Sequence, residues 1–171
     1  MDSITLQRIQ TAHPKLRAEL TKIYEEICTV VSTKVLCRFA FVFRSIAEQD
    51  ELYAQGRTKL FDAAGKRLGI VTKAKGGQSY HNYGLAVDIV LLIDVDGNGS
   101  YETASWDTKK DSEGDGKSDW MECVAVFKKY GWEWGGDWSK FKDTPHFQKT
   151  LGYTITQLRA LPMSNNYPQL S

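Results

Sequence analysis

The stretch SYHNYGLAVDIVLLI, residues 79–93, decides the fold and the chemistry predicted for this chain. Its second half, residues 87–93, is almost continuously apolar and is typical of a buried central strand. Asp88 interrupts this run, and a carboxylate inside an apolar strand is costly unless it is paired or binds a metal. Gly84 lies between His81 and Asp88 and permits a tight turn, so that the two side chains could converge.

A second segment, DTPHF at residues 143–147, adds a histidine and a carboxylate. The chain has only three histidines, and two of them, His81 and His146, lie in these two segments. Together with Asp88 they make the donor set of an open zinc site, which leaves the fourth position to water. Zinc-bound water can be nucleophilic near neutral pH, and Asp143 stands where a general base is needed. The residues thus indicate a zinc hydrolase; the alternative is a structural His–Asp hydrogen bond with an unrelated His146.

The other histidine and the cysteines are given no chemical role. His13 precedes Pro14 at a predicted helix start, which indicates a capping or surface residue rather than a metal ligand. Cys28, Cys37 and Cys123 form no CxxC pair, and we expect reduced, mostly buried thiols.

Length and composition favour one globular domain over residues 1–171. A hydrophobic fraction of 42% and a charged fraction of 25% are ordinary for a globular protein. The net charge of +1 supplies no strong field for nucleic acid or an anionic membrane, so neither is expected as a partner. No apolar run reaches signal-peptide or membrane-spanning length. We therefore expect synthesis in the cytosol without a signal peptide, and no membrane insertion.

Helices and strands are both predicted, without strict alternation, and this indicates an α+β domain. Apolar spacing, capping residues and β-branched runs predict the elements. The predicted helices cover residues 14–31, 45–55, 120–130 and 154–161, and the predicted strands cover residues 35–43, 68–71, 87–93 and 146–148.

Two acidic, glycine-rich loops suggest calcium binding. Residues 111–122, DSEGDGKSDWME, follow the twelve-residue calcium-loop pattern, with glycine at the sixth position. The candidate calcium ligands in this loop are Asp111, Glu113, Asp115, Asp119 and Glu122. The loop 94–102 starts in the same way but lacks the final carboxylate. The alternative is that both loops are solvated turns.

Four segments together resemble the family of zinc D-Ala-D-Ala carboxypeptidases and L-alanyl-D-glutamate endopeptidases of bacterial cell walls. They are residues 79–88, GWEWGGDW at 131–138, residues 143–146, and residues 43–58. The resemblance is nearest to phage endolysins and bacterial autolysins that cleave the L-Ala–D-Glu bond, and it covers about residues 44–148. It implies a mostly antiparallel central sheet flanked by helices, with the zinc site at the sheet, as in D,D-peptidase and hedgehog-like folds.

The resemblance also implies a role for each motif residue. His81, Asp88 and His146 would bind zinc, and Asp143 would take a proton from water and pass it to the leaving amine. Arg44 would hold the substrate carbonyl as negative charge develops on it. The family usually has a glycine and an aromatic residue before this arginine, whereas Val-Phe precedes it here, so the shape of the arginine loop is left open.

Three further residues have structural and functional interpretations. Ser79 would bind the substrate or a neighbouring polar group, or would be a plain turn serine. Trp132 is predicted to lie in the core, because burial explains most aromatic residues. Trp138 is predicted to line the substrate groove.

The expected activity is therefore hydrolysis of peptidoglycan stem peptides between L-Ala and D-Glu, by a monomer that acts at the cell wall. One alternative is a D,D-carboxypeptidase that removes terminal D-Ala. An alternative of another class is a non-catalytic module that binds cell wall or calcium. The motifs are compatible with a phage or a bacterial origin.

Overall fold

The computed structural model describes residues 1–171 as an α+β fold. The α-helices are α1 (Ser3–Ile9), α2 (Pro14–Val30), α3 (Ile46–Ala54), α4 (Asp119–Lys129) and α5 (Ile155–Ala160). The strands are β1 (Val35–Phe41), β2 (Ala86–Ile93), β3 (Thr103–Ser105), β4 (Glu133–Trp134), β5 (His146–Gln148), β6 (Met163–Ser164) and β7 (Tyr167–Pro168). Short 3₁₀ helices form at Tyr80–Tyr83 and Gly135–Asp137.

Strand β2 is the centre of an antiparallel five-stranded sheet, which confirms the predicted sheet type. On one side it pairs with β1. On the other side β5 pairs with its first residues and β3 with its last ones. Strand β4 pairs with the free edge of β5. The register between β1 and β2 shifts between Phe39 and Phe41, so a β-bulge lies next to Asp88 at the end of β1.

Helices α2 and α4 cover one face of the sheet and form the core with it. Buried residues of α2 recur at helical spacing, as predicted: Leu16, Leu20, Ile23, Tyr24 and Ile27. On β5, Phe147 stacks on Phe127 of α4 with ring centroids 4.1 Å apart. Because successive strand residues point to opposite faces, this anchoring of Phe147 turns His146 and Gln148 away from the core cluster. Trp132 is buried and packs against Phe127, which confirms its predicted core position.

Three local predictions differ from the structure. The strand expected at residues 68–71 does not form; this connection contains only the isolated bridges Gln55↔Lys59 and Phe61↔Arg67. The Leu68 amide donates to the Leu60 carbonyl at 2.8 Å, but no continuous ladder of hydrogen bonds follows along residues 68–71. Helix α1 was not predicted, since seven residues are too few for a helix to be stable alone. It forms on the sheet, where the Arg8 side chain donates to the Phe39 carbonyl. Strand β3, between the two acidic loops, is also absent from the predicted strands.

The predictions for the helix after β1 and for the free cysteines agree with the structure. The helix predicted over residues 45–55 forms as α3, and Ser45 and Glu48 make a capping box at its start. All three cysteines are free; Cys37 and Cys123 are buried, whereas Cys28 is exposed. None of the helices combines the length and the apolar character that crossing a bilayer requires.

Candidate metal centre

The structure brings His81, Asp88 and His146 together. Asp88 and His146 are direct cross-strand partners in β2 and β5, and His81 lies on the 3₁₀ helix before β2. The His81 Nε2 atom is 3.1 Å from Asp88 Oδ1 and 3.2 Å from His146 Nδ1. His146 Nδ1 is 3.1 Å from the same Asp88 oxygen. Three potential ligand atoms from distant parts of the chain thus surround one point.

Gly84 makes the turn between the 3₁₀ helix and β2, as the sequence predicts. Its φ is 67°, in the left-handed region, and a Cβ here would lie 2.5 Å from the backbone nitrogen of His13. Only glycine fits this position without strain. His13 itself caps α2 by accepting a hydrogen bond from the Lys15 amide, and it is buried rather than exposed.

The donor set fits a zinc ion. The His81 Nδ1–H donates to the Val42 carbonyl at 2.8 Å, and His146 Nε2 lies 3.1 Å from the side-chain oxygen of Gln148. Since carbonyl oxygens only accept, each ring has its other nitrogen free as a lone pair that faces Asp88. Zinc ligands about 2.0–2.1 Å from the metal at tetrahedral angles lie roughly 3.3 Å apart, close to the separations found here.

The electrostatics of the cluster also favour a cation. Burial raises the pKa of Asp88, but the neighbouring His81 and His146 outweigh burial and hold its pKa well below the usual range. Asp88 is therefore ionised at neutral pH. For His146, burial lowers the pKa, but the adjacent Asp88 carboxylate raises it overall. The site thus presents a fixed negative charge between two imidazoles.

Asp143 stands at the edge of this cluster, on the turn that leads into β5. Its amide donates to the Gly135 carbonyl at 3.0 Å, and its own carbonyl accepts from the His146 amide at 3.1 Å. A Cβ on Gly135 would collide with the Asp143 backbone, so this close approach requires glycine. Burial and the nearby charge of Asp88 raise the pKa of Asp143. A half-buried carboxyl with a raised pKa is suited to accept a proton.

Arg44 follows β1 and reaches back to the cluster. Its Nη2 lies 3.5 Å from Asp88 Oδ2, and its Nη1 donates to the side chain of Gln49 at 2.9 Å. The Nε atom is buried and has no partner in the protein. The guanidinium therefore retains hydrogen-bonding capacity beside the candidate metal ligands.

Gln49 and Asn82 support the site, although no sequence pattern assigns them a role. Gln49 is fully buried, and its amide also donates to the Ala74 carbonyl at 2.8 Å. Asn82 donates to the Arg44 carbonyl at 2.8 Å and accepts from the amide of Ser79 at 3.2 Å. The position of Gln49 inside the matched segment 43–58 is the one signal that could have pointed to it.

The cluster opens into a groove of about 630 Å³. Trp138 and Ser79 both line it, and the Trp138 ring centroid lies 5.3 Å from that of His146. Ser79 also accepts a hydrogen bond from the His81 amide, so it caps the 3₁₀ helix. Three exposed apolar side chains also line the groove: Phe41, Val71 and Phe141.

The calcium prediction for residues 111–122 is not supported. Asp111 accepts hydrogen bonds from backbone amides of its own loop, and the buried Asp119 is bonded to Ser112. The candidate ligands of this loop do not form a cluster of three carboxylate oxygens. In the second loop, Asp94, Asp96 and Glu102 do lie together, but acidic groups on exposed loops are common without an ion.

Comparison with known proteins agrees with the motifs. Residues 72–149 match the profile of the family described as D-alanyl-D-alanine carboxypeptidase. The predicted family resemblance is confirmed. Peptidoglycan L-alanyl-D-glutamate endopeptidase CwlK from Bacillus subtilis is 52% identical over 106 residues, which cover 62% of this chain and 56% of that protein.

Two further relatives agree. The L-alanyl-D-glutamate peptidase of a Listeria phage is 34% identical over 97 residues, 57% of this chain and 29% of that protein. The chain thus spans about half, or less, of the length of these curated relatives. The crystal structure of the L-Ala D-Glu endopeptidase ChiX from Serratia marcescens has a TM-score of 0.55, with 20% identity over 88% of this chain and 90% of that chain. This likeness supports the fold.

Proposed function

We propose that this chain is a zinc peptidase that hydrolyses peptidoglycan stem peptides between L-Ala and D-Glu. The observation that carries the proposal is the convergence of His81, Asp88 and His146, with 3.1–3.2 Å between ligand atoms. Asp143 and Arg44 line the same groove, which supplies the remaining groups for amide hydrolysis. The substrate comes from the names of two relatives, which are both L-alanyl-D-glutamate peptidases.

The proposed roles follow from the atoms that each residue presents. His81 Nε2, Asp88 Oδ1 and His146 Nδ1 would hold the zinc and leave its fourth position to the groove. Bound there, zinc lowers the pKa of a coordinated water towards neutrality and polarises the substrate carbonyl.

Asp143 would move the proton. Its raised pKa makes it a stronger base than an ordinary surface aspartate. The carboxylate would accept a proton from the attacking water and then donate it to the departing amine. General acid–base catalysis of this kind typically contributes about 10²–10⁴-fold in rate.

Arg44 would steady the negative charge that develops on the carbonyl oxygen. Its interaction with Gln49 fixes the guanidinium at the groove wall, so little reorganisation is needed during reaction. A preorganised donor of this kind typically contributes about 3 kcal/mol. Ser79 and Trp138, on the wall of the groove, would contact the stem peptide.

Digestion of purified peptidoglycan tests the proposal. The zinc-loaded protein is expected to release peptides with a free N-terminal D-Glu, detected by mass spectrometry, and to leave L-Ala on the glycan. His146→Ala removes one of the proposed zinc ligands and tests the metal site. His13→Asn is the matched control, because asparagine keeps a capping side chain on α2. Zinc-loaded protein that releases no such peptide would contradict the proposal.

The second candidate is a D,D-carboxypeptidase, which the description of the matching family favours. The site would perform the same chemistry on the terminal D-Ala–D-Ala bond. Release of free D-Ala in the same digest, without new D-Glu termini, would establish this activity instead.

The third possibility is a non-catalytic wall-binding module. Asp143→Ala separates it from an enzyme, because a module would bind wall fragments as before and have no turnover to lose. We further propose that the chain acts as a monomer at the bacterial cell wall, where its substrate lies.

A further inference from the structure

The pairing of β5 with its two neighbours places a polar row beside the metal site. Asp88 is the partner of His146 across β2 and β5, and Glu133 is the partner of Gln148 across β4 and β5. His146 and Gln148 are two residues apart on one strand, so their side chains lie on the same face. Gln148 and His146 are both buried, whereas Glu133 is exposed at the end of the row.

Glu133 determines which end of the Gln148 amide faces the histidine. The Gln148 Nε2 donates to Glu133 Oε2 at 2.9 Å. Since an ionised carboxylate only accepts hydrogen bonds, the amino group of Gln148 must point towards it. The carbonyl oxygen of Gln148 is left facing His146 Nε2 at 3.1 Å.

Gln148 in turn determines which nitrogen of His146 is free. An amide oxygen only accepts, so His146 Nε2 must carry the hydrogen, and Nδ1 is the atom available to a metal. Nδ1 is also the atom that faces Asp88 and His81. The exposed Glu133 carboxylate thus orients Gln148, and Gln148 in turn determines that the lone pair of His146 is on Nδ1.

We propose that Gln148 and Glu133 are positioning residues that hold His146 in its metal-binding tautomer and thereby raise the zinc affinity of the site. The inference rests on the proposed zinc site, although it does not depend on which peptide bond is cleaved. Groups that orient a ligating histidine typically change metal affinity by about 10–100-fold.

The first measurement is zinc affinity, by competition with a chromophoric chelator. Gln148→Leu keeps the size of the side chain but removes both hydrogen bonds, and it is expected to weaken zinc binding about 10–100-fold. Gln169→Leu, at an exposed position, is the matched control and is expected to bind zinc as the wild type does.

The second measurement is the imidazole N–H signal in proton NMR spectra of the zinc-loaded protein. The chain has only three histidines, and each ring has a nitrogen that faces a carbonyl oxygen. Each should therefore give an N–H resonance protected from exchange. Gln148→Leu should lose the His146 signal alone, whereas general misfolding would also remove those of His13 and His81.

An exchange of the two side chains tests the relay itself. In the single variant Gln148→Glu, two carboxylates face each other at the 2.9 Å contact, so zinc affinity is expected to fall. In the double variant Glu133→Gln, Gln148→Glu, the amide donates to the new carboxylate, which accepts from His146 Nε2–H. The double variant is expected to restore zinc affinity to within about threefold of the wild type.

Each outcome decides the inference. Unchanged zinc affinity and an unchanged His146 signal in Gln148→Leu would overturn it, as would a double variant no better than Gln148→Glu. A wild-type protein that binds no zinc would overturn it together with the proposed site. Zinc binding without peptide cleavage would remove only the proposed function.

Discussion

Asp88 and His146 face each other across β2 and β5, with Asp88 Oδ1 3.1 Å from His146 Nδ1. Their separation is fixed by strand pairing, because antiparallel neighbours hold directly opposed side chains close together. Phe147, between His146 and Gln148, anchors the same strand in the core. Two of the three candidate metal ligands, Asp88 and His146, are therefore held by the sheet rather than by a mobile loop.

Removal of zinc is expected to leave the fold intact and lower its stability. Core packing holds the strands, so circular dichroism of chelator-treated protein should keep its folded spectrum. Zinc at about 100 times its dissociation constant should add about 2.7 kcal/mol to the free energy of unfolding, seen as a rise in Tm. His146→Ala should abolish the rise and His13→Asn should retain it; a rise that persists in His146→Ala would place the zinc elsewhere.

Asp143→Asn is expected to lower kcat about 10²–10⁴-fold, because an amide cannot take the proton of the attacking water. Zinc content, measured by atomic spectroscopy, should stay at the wild-type value. Asp137→Asn is the matched control, since Asp137 is exposed and pairs with Lys128 at 2.6 Å. Comparable turnover in the two variants would show that the proton moves by another route.

The residues of the candidate metal site could be predicted from the sequence because local signals point to each of them. The apolar run 87–93 indicates a buried strand, the cost of burying Asp88 indicates a ligand, and Gly84 indicates the turn. The order of the motifs along the chain then indicates His146 as the third ligand. Short-range patterns thus identify the individual residues, and the family resemblance implies that they bind one metal ion together.

The supporting contacts could not be predicted, because they depend on register between distant strands. Nothing near Gln148 in the sequence indicates that Glu133 lies opposite to it. The buried position of Gln49 depends on the backbone of Ala74, which the long connection places beside α3. The strand expected at residues 68–71 does not form for the same reason, since a preference for extended backbone does not specify a partner strand.

Arg44→Lys is expected to lower kcat/KM about 10²–10³-fold on a soluble stem-peptide substrate. Lysine keeps the charge but cannot hold the Gln49 contact and also present donors to the developing oxyanion. Arg67→Lys, on the exposed connection, is the control and should retain full activity. Equal activity of the two variants would exclude Arg44 from the reaction.

The free energy of unfolding is expected to depend on pH in the acid range through the ionisation of Asp2. Burial raises the pKa of Asp2, but hydrogen bonds from Arg38 and Thr5 outweigh burial and hold the pKa below its ordinary value. Ionised Asp2 therefore stabilises the fold at pH values above its unfolded-state pKa of about 3.9. This stabilisation is lost as the pH falls through the folded-state pKa.

The change Asp2→Asn is expected to lower the free energy of unfolding at pH 7 by about 1.5–3 kcal/mol, because the charged contacts to Arg38 are lost. Urea unfolding at several pH values should show the gap between wild type and variant closing as pH falls below about 4. The exposed Glu25→Gln is the control and should differ little at any pH. A gap that stays constant with pH would show that ionisation of Asp2 does not contribute this stability.

Substitution of Trp132 is expected to lower stability, whereas substitution of Trp138 is expected to weaken substrate binding. Trp132 is 3% exposed, packs against Phe127 and donates to Glu19 at 2.8 Å, so Trp132→Ala should cost about 3–5 kcal/mol of unfolding free energy. Trp138 is half-buried on the groove beside His146, so Trp138→Ala should raise KM and change stability much less. Urea unfolding and steady-state kinetics on both variants check this, and a normal KM in Trp138→Ala would exclude its ring from the substrate contact.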